Sequence, residues 1–257
     1  MTDQLAALLQ ITNAMLWHGF AVFLRVGALV ALLPAFGERT VPTRIKLVVV
    51  LAFVLIVAPA VKARPPGETL DALIWLSLTE TLVGLVLGLG LRLFVLALQT
   101  AGSIAAQSTS LSQILGGAAV DPLPAMGYIL IIGGLALAVL TGLHVKAAAL
   151  LILSYDLMPM GAFLQGSEVS AWGVSQVAEA FSLAFTLAAP FVILSVIYNL
   201  ALGAINRAMP QLMVAFVGAP VITLGGLMLL LLASPFILHH WMAALDLYLA
   251  DPYRIPR

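Results

Sequence analysis

Six long apolar runs follow one another along the chain, and they constrain the fold more than any other feature. They cover about residues 14–35, 47–61, 70–106, 125–157, 174–208 and 220–250. Within lipid, every backbone polar group must find its hydrogen-bond partner inside the protein, so runs of this kind form helices. The runs are continuous rather than alternating, which argues against a β-barrel. The sequence therefore predicts an all-α integral membrane protein with about six long hydrophobic helices.

The composition supports a membrane protein. Of the 257 residues, 63% are hydrophobic and 9% are charged, and the mean hydropathy is +1.14. A soluble domain of this size cannot cover so much apolar surface. The formal net charge is zero and there is no basic patch, so nothing indicates nucleic-acid binding. The chain has no cysteine, which excludes disulfides and thiolate metal sites.

The runs differ in length. The second reaches only ~22 Å as a helix, whereas the third, fourth and fifth reach ~50 Å each. A bilayer core needs ~20 helical residues. Either the long helices project beyond the bilayer, or each long run contains a membrane helix together with flanking amphipathic turns. Small residues one turn apart, Gly84 with Gly88 and the series Ala180, Ala184 and Ala188, predict close helix contacts.

Ionisable residues within the apolar runs are costly and usually face protein or water. Arg25 lies in the middle of the first run, and we predict that it is buried and partnered. Glu80 and Arg92 lie 12 residues apart on the third run. On a helix they point ~120° apart, so they do not pair with each other. Lys146 and Glu179 are placed to extend toward the membrane surface. A polar pathway or a subunit interface is the functional interpretation of this set.

The segment 107–124 is the longest break between apolar runs. It reads "QSTSLSQILGGAAVDPLP" and is rich in Ser, Gln and Gly. It contains no Gly-x-Ser-x-Gly elbow, and the chain has no nucleotide-binding glycine motif. The four histidines show no metal spacing, so we predict no metal and no cofactor. An enzyme is disfavoured, although an intramembrane protease using Ser108 or Ser110 with His144 remains an alternative.

Two prolines lie inside apolar runs. Pro190 interrupts the fifth run and Pro235 the sixth. Each removes one backbone hydrogen bond and is expected to kink its helix. Kinked helices suit the wall of a pore, and they also suit transporters with broken helices.

Four sequence blocks resemble the FliR family of flagellar biosynthesis proteins. The block "FLRVGALVALLPAFGERTVPTRIKL" has the family's arginine, two spaced prolines and a following basic residue, here Arg25, Pro34, Pro42 and Arg44. The "VDP" that ends the central segment supplies Asp121 and Pro122. The block "TGLHVKAAALLILSYDLMPMG" supplies Gly142, His144, Ser154, Tyr155, Pro159 and Gly161. The block "INRAMPQLMVAFVGAP" has the order Arg-x-x-Pro-Gln and a later proline, here Arg207, Pro210, Gln211 and Pro220. The chain departs from the family at Met213 and Ala215, where an Asn and a Phe are usual.

The resemblance implies a non-enzymatic subunit of the flagellar type III export gate in the bacterial inner membrane, at the flagellar basal body. It implies FliP and FliQ as partners in a pore, with FlhB and FlhA nearby, and unfolded export substrates as cargo. By the same resemblance, residues 1–172 are FliP-like and residues 173–257 form a FliQ-like helical hairpin. An injectisome homologue and a small secondary transporter are the alternatives.

The resemblance also implies that the segment 107–124 plugs the pore. The candidate plug residues are Ser110, Ile114, Leu115, Gly116, Gly117, Asp121 and Pro122. The two glycines allow a flexible chain, and the apolar pair before them is suited to exclude water. The candidate structural or interface residues are Arg25, Pro34, Pro42, Gly142, His144, Pro159, Pro190, Arg207, Pro210, Gln211 and Pro220.

The turn at 205–220 connects the last two runs. Arg207 is expected near a helix C-terminus, where its charge suits the helix dipole. Pro210 is expected to end the fifth helix. Pro220 is expected to start the sixth, where a missing N–H costs little.

Overall fold

The computed structural model describes residues 2–62, 69–109, 125–163, 165–209 and 214–253. These parts of the chain contain helices and no strand. The helices are α1 Thr2–Leu32, α2 Thr43–Ala60, α3 Leu70–Ser108, α4 Ala125–Leu140, α5 Leu143–Leu157, α6 Gly166–Ala208 and α7 Val214–Ala250. The predicted all-α membrane architecture is confirmed.

Five of the described helices are long and apolar enough to cross a membrane. They are α1, α2, α3, α6 and α7, and a sixth crossing results if α4 and α5 count together as one span. Helices α3 and α6 have 39 and 43 residues, and each is a single element. At 1.5 Å per residue they measure roughly 58 and 64 Å, about twice the thickness of a bilayer core.

The fourth apolar run is not one helix, and this part of the prediction was wrong. α4 and α5 are bent by 71° with respect to each other at a short break. Gly142 lies in that break with φ of 84°, a left-handed conformation that an L side chain rarely adopts. The glycine ends one helix and is the N-cap of the next.

The prolines and the arginine of the last two helices have mixed outcomes. Arg207 lies in the last turn of α6, as predicted. α6 ends at Ala208, two residues before Pro210, which itself lies outside the described residues. The predicted start of the last helix at Pro220 was wrong, because α7 begins at Val214 and encloses that proline. α6 continues through Pro190 and α7 through Pro235, and the kinks expected at these prolines stay a prediction.

The chain divides into two compact units. The first contains residues 1–92, 139–175 and 247–257, and the second contains residues 93–138 and 176–246. Each unit is assembled from separate stretches of chain. These units combine distant stretches of sequence, whereas the predicted FliP-like and FliQ-like parts are two consecutive ranges. The two predicted parts therefore stay a prediction.

Glycines allow α3 to approach α1 closely in the first unit. A Cβ at Gly84 would overlap the carbonyl oxygen of Arg25 and lie 2.8 Å from the Cβ of Ala28. A Cβ at Gly88 would lie 2.9 Å from the Cβ of Leu32. The predicted close contact at these two glycines is confirmed, and it brings the middle of α3 against the arginine of α1.

The second unit has a similar contact of its own. A Cβ at Gly102 of α3 would overlap the Cα of Gly127 of α4. In the same unit the indole of Trp241 is fully buried and donates from Nε1 to the carbonyl oxygen of Phe94 at 2.9 Å. Close backbone approach and one partly buried hydrogen bond therefore hold α3, α4 and α7 together within this unit.

Candidate functional site

Arg25 is the centre of the most polar part of the first unit. It lies in the C-terminal half of α1, and its side chain is fully buried. A buried charge is costly unless it is paired and hydrogen-bonded. The predicted burial of Arg25 is confirmed, and its surroundings show how the charge is balanced.

The counter-charge comes from Glu80 on α3. Arg25 Nε donates to Glu80 Oε2 at 2.8 Å, and Nη2 donates to Oε1 at 3.1 Å. Glu80 is also fully buried. Two parallel N–H···O bonds between a guanidinium and a carboxylate give the strongest and most directional form of ion pair. The predicted partner of Arg25 therefore exists, and it is the acid that the sequence placed within the third run.

The end of α5 satisfies the remaining donors of Arg25. Nη1 donates to both the carbonyl oxygen and the hydroxyl of Ser154, each at 3.1 Å. Nη2 donates to the carbonyl oxygen of Met158 at 3.0 Å. The Ser154 hydroxyl passes its own hydrogen to the Leu151 carbonyl at 2.6 Å. Ser154 Oγ thus accepts from Arg25 and donates to backbone, and no described residue is bonded to it as a general base.

A turn after α5 is bound to the other side of the ion pair. The backbone N–H of Gly161 donates to Glu80 Oε1 at 3.0 Å. The indole of Trp75 donates to the carbonyl oxygen of Gly161 at 3.1 Å, and its ring stacks on Phe163 with centroids 5.4 Å apart. Gly161 has φ of 75°, which glycine adopts without strain. The backbone N–H and carbonyl of Gly161 thus both bind side chains of α3, which holds the turn against this helix.

Tyr155 covers the guanidinium of Arg25. The guanidinium carbon lies 3.7 Å from the centroid of the tyrosine ring, a cation–π contact. The phenolic oxygen is buried and has no hydrogen-bond partner among the described residues. We call Arg25, Glu80, Ser154, Tyr155, Met158 and Gly161 the Arg25 cluster. It joins α1, α3, α5 and the following turn through one buried, neutral network.

A second ion pair in the first unit is more accessible. Arg92 Nη1 donates to Glu38 Oε1, and the two side chains are 32% and 22% exposed. Lys46 of α2 donates from Nζ to the carbonyl oxygen of Gly37, the residue before Glu38, at 2.9 Å. As predicted, Glu80 and Arg92 do not pair with each other, since each has a different partner. Accessible pairs of this kind contribute little stability.

Four further candidate residues of the first unit are not members of the Arg25 cluster. Pro34 is buried just after α1, and Pro42 is the N-cap of α2. Pro159 is exposed in the turn that follows α5, and its carbonyl accepts the N–H of Ala162. His144 is exposed on α5.

Several candidate residues lie outside the described part of the chain. The plug residues Ser110, Ile114, Leu115, Gly116, Gly117, Asp121 and Pro122 lie outside the described residues, as do Pro210 and Gln211. Ser108 donates its hydroxyl hydrogen to the Ala105 carbonyl at 2.8 Å. In the described parts of the chain, no three His, Asp or Glu residues are grouped so that they could hold a metal ion.

Two blocks that carry the family resemblance meet in the Arg25 cluster. Arg25 belongs to the first block, whereas Ser154, Tyr155 and Gly161 belong to the third. Sequence reasoning missed Trp75 and Met158 as participants. Met158 contributes through its backbone carbonyl, which no residue type reveals. The available signal for Glu80 was that it is one of the few acidic residues within the apolar runs.

Comparisons with known proteins agree with the family resemblance of the sequence. The model of the family described as bacterial export proteins, family 1, matches residues 16–247. The flagellar biosynthetic protein FliR of Caulobacter vibrioides is 37% identical over 224 residues, which is 86% of this chain and 89% of that protein. FliR of Escherichia coli K12 is 30% identical over 227 residues, covering 85% of this chain and 84% of that protein. FliR of Bacillus subtilis is 30% identical over 209 residues, covering 77% and 79%. Because these matches extend over most of each sequence, the chain belongs to the bacterial export proteins, family 1, the family of the flagellar biosynthetic protein FliR.

Proposed function

We propose that this chain is a non-enzymatic subunit of the flagellar type III export gate in the bacterial inner membrane. It forms part of the pore through which unfolded export substrates cross. The observation that carries the proposal is the 37% identity to a flagellar biosynthetic protein along most of both chains. The relatives it matches are flagellar by name, which favours the flagellar gate over an injectisome.

The chemistry of the described residues supports a structural role. In the Arg25 cluster the charges are paired and the serine is bonded to backbone, so this polar centre fixes helices instead of activating a nucleophile. Energy for export then comes from other components. We place FliP and FliQ beside this chain in the pore, with FlhB and FlhA as further partners. Residues 1–172 serve as the FliP-like part and residues 173–257 as the FliQ-like hairpin.

The exposed apolar helices are suited to assembly within a membrane. Large side chains along α6 are exposed, among them Val177, Phe181, Phe185, Ile193 and Ile197. Such a surface is covered by lipid or by other apolar helices in a bilayer. The long α6 and α7 supply more apolar surface than one crossing needs, which suits a subunit packed among others.

The test of the gate assignment is a deletion strain of the source bacterium. Loss of the chain should abolish swimming and export of filament protein, and a tagged copy should restore both. The tagged copy should purify with FliP and FliQ in detergent. A deletion strain that swims normally, or a tagged chain that restores swimming yet purifies alone, would contradict the proposal.

The segment 107–124 is proposed as the plug of the pore. Deleting residues 110–119 should let ions leak through the assembled gate, since the apolar seal is removed. The measurement is ion conductance of the purified assembly in planar bilayers. A control replaces the same ten residues with a Gly/Ser linker of equal length, which keeps the connection but not the apolar groups. Conductance equal to that of the unaltered assembly in both variants would refute the plug assignment.

A further inference from the structure

The first unit contains a pocket that the Arg25 cluster does not explain. Its volume is about 310 Å³, and α3, α5, α6 and the segment after α7 all contribute to its lining. Leu157, Met158 and Val169 supply apolar walls, and Trp172 and Tyr253 supply aromatic rings. Glu168 is the one charged side chain among the described lining residues. The volume is at the lower end of the range for ligand pockets, about 300–1,000 Å³, and suits a single long side chain.

The polar atoms of both aromatic residues are already bonded. Trp172 Nε1 donates to the Pro252 carbonyl at 2.8 Å, and the Tyr253 hydroxyl donates to Met158 Sδ at 3.4 Å. The two ring centroids lie 6.2 Å apart. Burial raises the pKa of Tyr253 to about 12, with the charge of Arg25 opposing the rise, so the hydroxyl stays protonated at neutral pH. These residues therefore offer an incoming group their ring surfaces and no charge.

Among the described residues that line the pocket, Glu168 supplies the only charge. It lies in the first turn of α6, where the helix dipole favours a carboxylate. It has no ion-pair partner among the described residues. A carboxylate at a helix start needs no ligand to explain it. Glu168, however, also lines an apolar and aromatic pocket, and that position favours a cationic ligand.

We propose that this pocket receives a lysine or arginine side chain of a second polypeptide. The aliphatic stem of such a side chain suits the apolar walls, because long basic side chains bury their methylene groups while keeping the charged head at a polar site. The head would pair with the Glu168 carboxylate and gain from the aromatic rings. This inference does not rest on the export-gate assignment, since it concerns only the chemistry of the pocket.

Fluorine NMR of the full-length chain in detergent micelles tests the proposal. The four tryptophans are replaced by 5-fluorotryptophan, and a Trp172→Phe variant assigns the Trp172 signal. The probe is N-acetyl-lysine methylamide, and the neutral control is N-acetyl-norleucine methylamide. The lysine probe should shift the Trp172 signal saturably in the millimolar range, and the norleucine control should do so much more weakly.

A pair of variants separates the pocket from general charge effects. Glu168→Gln should weaken the lysine probe about fivefold, the effect expected of an accessible ion pair with an aromatic contribution. Asp71→Asn removes an acid from the first turn of α3, away from the pocket, and should leave the affinity unchanged. Equal binding of both probes, or no saturable shift, would overturn the proposal. A response that appears only after Arg254→Gln would assign the pocket to the chain's own terminal residues and would also overturn it.

Discussion

Replacing Glu80 with glutamine removes the counter-charge of Arg25 while keeping nearly the same shape. The guanidinium then stays fully buried, facing only the neutral oxygens of Ser154, Met158 and the new amide. Breaking a buried pair by removing one partner typically costs about 3–5 kcal/mol. Hydrogen bonds to charged groups contribute about 1.5–3 kcal/mol each, and Arg25 makes two to Glu80. The first route gives a loss of about 3–5 kcal/mol and the second about 3–6 kcal/mol, so we expect the free energy of unfolding to fall by about 3–5 kcal/mol.

The assay is reversible unfolding of the purified chain in mixed detergent micelles, followed by tryptophan fluorescence and circular dichroism. Arg92→Gln is the matched control, because it breaks the other ion pair, whose side chains are 32% and 22% exposed. That change should cost less than about 1 kcal/mol. Similar losses from the two changes would show that burial does not set the strength of the Glu80 pair.

A double-mutant cycle tests whether the two buried residues act as a pair. Arg25→Met with Glu80→Gln removes both charges, so no uncompensated charge remains. The double variant should be less destabilised than the two single changes added together, by at least about 2 kcal/mol. It should not recover fully, since the carbonyl oxygen of Met158 loses its donor Arg25, while that of Ser154 keeps only the backbone N–H of Met158. Additivity within about 0.5 kcal/mol would refute the reasoning.

Two further predictions each compare an alanine substitution at one glycine with the same substitution at a second glycine. Gly102→Ala should cost about 1–3 kcal/mol, because the new Cβ overlaps the Cα of Gly127, whereas Gly127→Ala should be nearly neutral, since its nearest new contact is 3.6 Å. Gly142→Ala should cost about 1–2 kcal/mol through its positive φ alone, and Gly173→Ala, in open space within α6, should stabilise by up to about 1 kcal/mol. Thermal unfolding in detergent measures all four, and equal effects within either pair would contradict the argument.

The helices could be predicted from the sequence because lipid leaves an apolar run few alternatives. The break at Gly142 could not, since one glycine within an apolar run also suits close helix packing, as Gly84 shows. The start of α7 was misplaced because proline is favoured in a first turn. Here the helix accepts Pro220 as its seventh residue, at the cost of one backbone hydrogen bond.

The sequence predicted the central residue of the site but not its hydrogen-bond partners. The burial of Arg25 followed from the cost of a charge in an apolar run. Its partner Glu80 lies 55 residues away, and no local periodicity connects the two. The backbone oxygen of Met158 and the N–H of Gly161 carry no residue-type signal at all. Such contacts depend on the path of the turn after α5, which only the folded chain reveals.

The long sequence separations within the Arg25 cluster have a consequence for how the protein is made. Glu80 follows Arg25 by 55 residues, and Ser154 follows it by 129. At ribosomal speeds of about 5–20 residues per second, Glu80 is synthesised roughly 3–11 s after Arg25, and Ser154 roughly 6–26 s after it. An arginine at the centre of an inserting helix costs about 2.5–3.5 kcal/mol, and each Leu, Ile, Phe or Val returns about 0.3–0.6 kcal/mol. The nascent α1 therefore depends on its own apolar side chains to stay in the bilayer until α3 delivers the missing carboxylate.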